Sequence, residues 1–545
     1  MLRSWMKEGN HWVWFNAMAL AISLLAVTAL VGLLAVKGIA HFWPKDVIVF
    51  TVDDGKGGNV QLIGERQRTG ERLEGDATVG VKHIPQTLVK IGGRELFGAD
   101  FKWVDDPAIV SQETPNNMVV IERYEWGNLY GRLVSITNSD GRKTTGDAAW
   151  DSFKSLIAYH GQLYEQLVDI QKDKIGSINY AVEGLRLERR RLELKNALTD
   201  ADIQRLAQER KDLDQKYELL LADMQKLQKL SESLGVAELE VMGGKLVQLP
   251  VSKVVAATMP NAMGAFAKTG EFFHKIWEFL STDPREANTE GGIFPAIFGT
   301  VTLVFIMTFL VMPFGVMAAV YLREYAKDGV IVRMVRVSVN NLAGVPSIVY
   351  GVFGLGFFVY IVGQGIDHAF YQEALPSPTF GTSGLLWAAL TLALLTLPVV
   401  IVSTEEGLAR VPRAIREGSL ALGATKIETL WRTVLPMASP AIMTGLILAI
   451  ARAAGEVAPL MLVGVVKLAP SLPVDGNAPF VHLDQKIMHL GFHIHDVGFQ
   501  SPNIEAAQPL VYATAFLLVL IVISLNISAI AIRNRLRERF KSLDN

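Results

Sequence analysis

Six apolar runs, each about as long as a bilayer is thick, constrain this chain more than anything else in it. A helix needs about 20 mainly apolar residues to cross the hydrocarbon core. Runs of that kind lie near Trp12–Val36, Ile293–Ala319, Leu342–Val362, Leu385–Val402, Ile442–Val466 and Pro509–Ile532. In lipid, backbone polar groups must be satisfied within the segment, so such runs read as helices. The expected fold class is an α-helical polytopic membrane protein with six transmembrane helices. The first run is too long for a signal-peptide core, and His41-Phe42-Trp43-Pro44 is a poor cleavage site, so it reads as a retained anchor.

Basic residues set the expected topology. Arg3 and Lys7 precede the first run. Arg323, Lys327, Arg333 and Arg336 follow the second, and Arg410, Arg413, Arg416, Lys426 and Arg432 follow the fourth. Arg533, Arg535, Arg537, Arg539 and Lys541 end the chain, whereas 363–383 has no Lys or Arg and 467–508 has only Lys467 and Lys486. This alternation predicts six spans with both termini cytoplasmic. Residues 1–45 then form the N-terminal cytoplasmic segment and first helix, 46–290 an external domain, and 291–545 a core with the other five helices.

The long segment between the first two runs has three compositional parts. Residues 46–150 contain short β-type runs such as VIVFTV and NMVVIERY, separated by turn clusters such as Asp53-Asp54-Gly55. Residues 151–235 contain no proline and are densely charged. Leu206, Leu213, Leu220, Leu227 and Leu234 recur there every seven residues, with Ile178, Leu185 and Leu192 at the same spacing upstream. That is a coiled-coil pattern. Thr199 and Asp202 look like a helix N-cap, so the region reads either as an antiparallel hairpin turning near 196–200 or as one long helix. Residues 236–290 return to strand-like runs and end in FAKTGEFFHKIWEFL, an amphipathic stretch that fits a membrane surface or a packed core equally well. The expectation is a large external α+β domain containing a coiled coil. With no cysteine in the chain it has no disulfide to hold it together.

The fifth run carries Arg452 and Glu456 near its middle. An Arg at the bilayer centre costs about 2.5–3.5 kcal/mol on insertion scales and usually marks a polar pathway. The two residues are one helical turn apart, in the order that stabilises a helix less well than Glu before Arg, so a simple staple is a poor explanation. A guanidinium offers a planar fork that matches phosphate oxygens in two-point contact. Gly455 and Pro459 suggest a kink or a close helix approach beside the pair. Asn340 and Asn341, flanking Gly344 and Pro346, are further candidates to line the pathway or to pack between helices.

Just before that run, Glu417-Gly418-Ser419, then Gly423, then Leu435-Pro436 match the spacing of the EAA loop in permease subunits of ABC importers. Gly418 and Ser419 stand where that pattern has alanines, and Thr433 where it has isoleucine. The run ARAAGEVAPL then resembles the R-A-x-G-E-x-A-P-L run of the phosphate importer permease family of the PstA type. LAGVPSIVYGVFGLGFF and GGIFPAIFGTVTLVFIMTFLVMPFGVMAAVYLREY look like that family's third and second spans. The resemblance covers 291–545 and the first span, and leaves most of 46–290 as an unusually long insertion.

The resemblance implies six helices of the ABC importer permease type in a bacterial cytoplasmic membrane. It implies a PstC-like permease as heterodimer partner, two cytoplasmic ATP-binding subunits and an external phosphate-binding protein that delivers inorganic phosphate. It also implies a coupling loop containing Arg416, Glu417, Gly418, Ser419, Gly423, Leu435 and Pro436, and a pathway containing Arg452 and Glu456. The chain has no G-x-x-x-x-G-K-[ST] loop, so ATP hydrolysis is expected from a partner and no enzyme activity or cofactor from this chain. His482, His489, His493 and His495 cluster in the last external loop without completing a recognised metal set, and no metal or nucleic acid is expected. Two other readings remain open here: a permease for molybdate, sulfate or phosphonate, and a membrane-anchored coiled-coil envelope adaptor or sensor.

Overall fold

The computed structural model describes residues 10–53, 58–74, 82–501 and 504–541. Arg3, Lys7, Asp54 and Gly55 lie outside the described residues. Six helices are long and apolar enough to cross a membrane: Trp12–Ala40, Phe294–Tyr325, Ser347–Phe370, Leu385–Arg410, Lys426–Gly455 and Ala507–Arg535. The fourth is the most enclosed. Its Leu392 and Leu395 pack against Leu303 and Met307 of the second span and Leu446 and Ala449 of the fifth. The first span leans on the sixth, where Gly38 comes so close that an added Cβ would lie 2.8 Å from Ala513 Cα.

Two spans differ from the apolar patterning. The fifth begins at Lys426 and ends at Gly455, so Arg452 sits in its last turn and Glu456 lies beyond it, with extended dihedrals (φ −81°, ψ 134°). The expectation that the pair shares a helical face near mid-span is therefore corrected. Pro459 supplies the reason. Within a continuous helix its ring would collide with the carbonyl of Gly455, four residues earlier, and its missing N–H would leave that carbonyl unpaired. The third span begins later than its apolar run and is preceded by a separate helix. Helix Val330–Leu342 stops, Ala343–Pro346 turns, and the span starts at Ser347. Pro346 restricts Val345 to extended conformations, which ends the preceding helix.

The domain between the first and second spans has two antiparallel sheets. The first has the order β4-β3-β2-β1-β5, from strands β1 (Val47–Asp53), β2 (Asn59–Glu74), β3 (Lys82–Lys90), β4 (Phe101–Asp105) and β5 (Ile109–Glu113). The second has the order β10-β9-β7-β6-β11, from β6 (Met118–Arg123), β7 (Leu129–Asn138), β9 (Gly235–Val241), β10 (Lys245–Pro250) and β11 (Val254–Thr258), with β8 (Lys143–Thr145) on β7. Val47, Ile63, Val120 and Tyr130 fill the space between the sheets. The other face of the second sheet is covered by helix α1 (Asp147–Val168) through Ala149, Phe153 and Leu163. The sheet therefore draws strands from both sides of the helical segment. β9 pairs β7 from Gly131↔Val241 to Asn138↔Gly235. The helices are an insertion into one β-module rather than a part that follows it.

That insertion is a hairpin. The helix of α1 continues through Asp169–Lys174 into α2 (Ile175–Leu194), and α3 (Asp200–Glu232) returns beside it. The single long helix is ruled out by the turn at 195–199. Thr199 and Asp202 form a reciprocal capping box, with Asp202 N donating to Thr199 Oγ1 at 3.2 Å and Thr199 N donating to Asp202 Oδ2 at 3.2 Å. Leu206 and Leu234 are buried and the heptad leucines between them, Leu213, Leu220 and Leu227, are half-buried, whereas Leu219 and Leu230 are exposed, so the heptad positions mark the covered side of α3.

The two-sheet module closes on itself at Asn261. Its side chain accepts from Val47 N and donates to Val47 O and Pro115 O, all at 2.8 Å. Helix α4 (Ala265–Ser281) then leads toward the second span. Phe266, Phe273 and Trp277 point away from the protein, with Phe266 97% exposed, while Phe279 is buried. An apolar face turned outward beside the end of a membrane-spanning helix fits the surface reading of this stretch, not the packed-core one.

Candidate functional site

The third span packs against the chain that follows the end of the fifth. Gly351, one turn into the third span, approaches the fifth-span break so closely that an added Cβ would sit 2.7 Å from Pro459 Cα. Tyr350 donates a hydrogen bond of 2.6 Å to the carbonyl of Leu342, which ties the third span to the helix before it. Ala449, Ala453 and Ala454 pack against these residues and keep the backbones close. After the break a short helix, Leu460–Val463, is anchored at both flanks. Gly384 N donates to Val463 O at 3.0 Å, and Val466 N to Ile487 O at 3.0 Å.

Irregular backbone at membrane depth is tolerated only where protein covers it or where it lines a water-filled cavity. Here the irregular segment after Gly455 runs beside a charged pair. Arg452 Nε lies 3.5 Å from Glu456 Oε1, and the two side chains are 32% and 20% exposed. That distance is an ion pair but a loose one, well beyond the 2.7–2.9 Å of a charge-assisted hydrogen bond. Among the described residues Arg452 makes no other ion pair. A guanidinium carries five N–H donors, so most of its capacity is left for an anion or water. Asn340 and Asn341 end the helix before the third span and are exposed. Their side chains make no hydrogen bond to Arg452 among the described residues. Gly344 and Pro346 form the turn itself, where Gly344 N donates to Asn341 O at 3.0 Å.

The segment between the fourth and fifth spans folds as a short helix (Arg413–Ala421), a tight turn and the start of the long fifth helix. Gly423 adopts φ 88°, which disfavours any side chain, and this lets the chain reverse. Thr425 and Glu428 then cap the next helix reciprocally. Just upstream of Pro436 the helix widens over Leu430–Val434, where the proline ring would otherwise crowd the carbonyl of Arg432. Leu435 packs beside the Leu408–Val434 cluster. The short helix has two distinct sides. Arg416 Nη1 pairs with Glu324 Oε1 at 2.7 Å, and Ser419 Oγ lies 2.9 Å from Thr429 Oγ1. Glu417, Gly418, Leu420 and Leu422 face outward, with Leu422 91% exposed. The expected loop residues thus divide into anchors (Arg416, Ser419) and an open surface (Glu417, Gly418).

Residues 311–542 match the family described as "Binding-protein-dependent transport system inner membrane component". The phosphate transport system permease protein PstA 1 of Mycobacterium tuberculosis is 41% identical over 175 residues, which covers 32% of this chain and 52% of that protein. The permease-family match and the PstA-named relatives support a permease of the PstA type. The phosphate transport system permease protein PstC of Xylella fastidiosa is 30% identical over 213 residues, covering 36% of this chain and 64% of that protein. Among solved structures, an inward-facing MetNI methionine ABC transporter aligns at 20% identity and a TM-score of 0.33, covering 44% of this chain and 94% of that one. The chain spans about half the length of the first PstA relatives it matches.

Within residues 311–542, sequence reasoning missed Glu324, Tyr350 and Gly351. Glu324 was findable as the one carboxylate among Arg323, Lys327 and the aromatic end of the second span. Tyr350 and Gly351 carry no signal of their own, because their part depends on which helices meet. Two histidines of the last inter-span loop have hydrogen-bond partners. His482 Nε2 lies 2.8 Å from Asp475 Oδ1. His489 Nδ1 accepts from Gly491 N at 3.1 Å. Burial pushes the imidazoles of His489 and His493 down to about 4, so both are neutral at physiological pH. Among the described residues no group of three or more His, Cys, Asp or Glu could hold a metal ion.

Proposed function

We propose that this chain is one permease subunit of an ATP-driven phosphate importer in a bacterial cytoplasmic membrane. It forms half of the pathway beside a PstC-like subunit. Two ATPase subunits dock on the outward side of Arg413–Ala421, in the cytoplasm, and an external phosphate-binding protein delivers the anion. Residues 46–290 face outside. The observation that carries this reading is Arg452. It stands in the last turn of the fifth span, where its one ion pair among the described residues is a 3.5 Å contact to Glu456. The named relatives support phosphate as the anion.

In this mechanism the coupling helix passes movement along two routes. Arg416–Glu324 links it to the end of the second span, and the capped turn at Thr425 links it to the fifth. A push by the ATPases tilts both spans and opens the break at Gly455–Pro459. Glu456 competes with the anion for Arg452, which keeps the site weak enough to release phosphate inward.

Arg452→Gln keeps size and polarity but removes the charge. Truncating one partner of a desolvated charged contact costs about 2–5 kcal/mol, so phosphate uptake should fall by roughly two orders of magnitude while the complex still co-purifies. Uptake at the wild-type rate in an assembled Arg452→Gln complex would remove Arg452 from the pathway. Competition by molybdate, sulfate and phosphonate in the same assay decides the anion.

A further inference from the structure

The seam between the inserted domain and the membrane core contains two adjoining spaces of opposite character. One is a groove of about 530 Å³ with an entirely apolar lining, between Val36, Ile39 and Ala40 of the first span and Phe272 and Phe273 of α4. Its wall is a membrane-spanning helix, so it opens at the bilayer boundary. The other is a cavity of about 270 Å³ lined by side chains of both charges. Trp43 lines both spaces, so they adjoin at its ring.

Part of the cavity's charge is already satisfied. Lys275 is bonded to Glu122, and Arg285 pairs with Glu278 at 3.2 Å. The rest is not. Lys90 makes no hydrogen bond or ion pair among the described residues, and Lys45 bonds only the neutral Gln67, at 2.6 Å. On the acidic side, Glu286 is bonded by the backbone N–H groups of Gly127 and Trp126, and neither it nor Glu290 has a cation at ion-pair distance among the described residues. Burial, with Glu286 nearby, outweighs the opposing Lys90 ammonium and pushes the Glu290 carboxyl up to about 7. Six carboxylates (Glu65, Asp100, Glu122, Glu278, Glu286, Glu290) face five cations (Lys45, Lys90, Arg94, Lys275, Arg285). A free anion would meet a net negative wall, whereas a zwitterion finds both of its partners.

We propose that this seam binds one phospholipid with a primary-amine headgroup, of the phosphatidylethanolamine class, from the leaflet on the side of the inserted domain. One acyl chain fills the groove, where each buried CH₂ contributes about 0.8 kcal/mol. The phosphate lies toward Lys45 and Lys90, and the ammonium toward Glu286 and Glu290. Trp43 takes the boundary position that indole rings favour. The site stands on the seam alone, whatever the permease carries.

The test is native mass spectrometry of the full chain, purified with whatever subunits accompany it and supplied with phosphatidylethanolamine or phosphatidylglycerol. The wild type should retain one phosphatidylethanolamine per chain, preferred over phosphatidylglycerol by about tenfold. Glu290→Gln should bring the two lipids to near-equal retention. Ile39→Trp, at a partly exposed position where folding is not at stake, should fill the groove and abolish retention of both. Equal retention of the two lipids by the wild type, or no retained lipid at all, overturns the proposal. So does retention of soluble phosphoethanolamine that Ile39→Trp leaves unchanged, because the chain would then play no part.

Discussion

Glu417 and its neighbour Arg416 show how far adjacent residues on one short helix can differ in task. Arg416 is turned inward against Glu324, whereas Glu417 is exposed. Glu417→Lys should therefore leave the permease folded but weaken its hold on the ATPase subunit. Reversing a rim charge mainly affects encounter and salt dependence, so a drop in affinity of about tenfold, steeper at low ionic strength, is expected in co-purification or titration. Arg416→Ala should instead preserve ATPase binding and reduce transport per ATP, because it cuts the link to the second span. If both variants behaved alike, the division into surface and anchor would be wrong. The spacing of Glu417, Gly423 and Pro436 was enough to foresee a helix, a turn and a helix. It did not show which residues face outward, because that depends on where Glu324 lies, 92 residues or so earlier in the chain. Arg452 was legible as an expensive charge in an apolar run. Its true place at a helix end was half legible, since Gly455 and Pro459 read as a kink within a continuing span and not as its end.

At the scale of elements, the inserted hairpin is tied down across the permease. Arg191 on α2 donates to Glu373, in the loop after the third span, at 2.6 Å, and Tyr180 donates to the carbonyl of Ala478 in the last inter-span loop. The Tyr180 ring also meets His482 edge-on, with centroids 5.9 Å apart. Burial alone would raise the Glu373 carboxyl. A backbone N–H and the Arg191 guanidinium outweigh it and hold the carboxyl below its ordinary 4.5. A carboxyl lowered by folding stabilises the contact above that ordinary value, and the contribution is lost as pH falls through the lowered one. Below about pH 4.5 the hairpin should therefore loosen from residues 371–375. A pair with one exposed partner is worth up to ~1 kcal/mol, so hydrogen-exchange protection there should drop by about fivefold, and Arg191→Ala should reproduce that drop at neutral pH. Protection unchanged in both experiments would mean that Tyr180 and its neighbours hold the hairpin unaided. The leucine heptads announced the helices, and Thr199 announced the turn. Nothing in 151–235 announced a target, because Glu373 and Ala478 lie in loops with no pattern to read.

Across the whole molecule, the division into two sheets, a helical hairpin and six spans follows closely from local patterning. Period-two runs became strands, and the apolar runs became spans. The order of the parts did not follow. β9, β10 and β11 complete a sheet begun by β6 and β7, and no local signal links strands separated by the hairpin. Sheet pairing of that kind is paid for late in folding, after the intervening chain is in place.

Two of these junctions share one geometry. Val47 and Asn261 meet where the module leaves and rejoins the membrane core, and Asn138 pairs with Gly235 where the hairpin leaves and rejoins the sheet. Each insert thus enters and exits through a single doorway, one nested inside the other. Such an arrangement lets a lineage acquire or discard either piece in one genetic event without moving the helices around it.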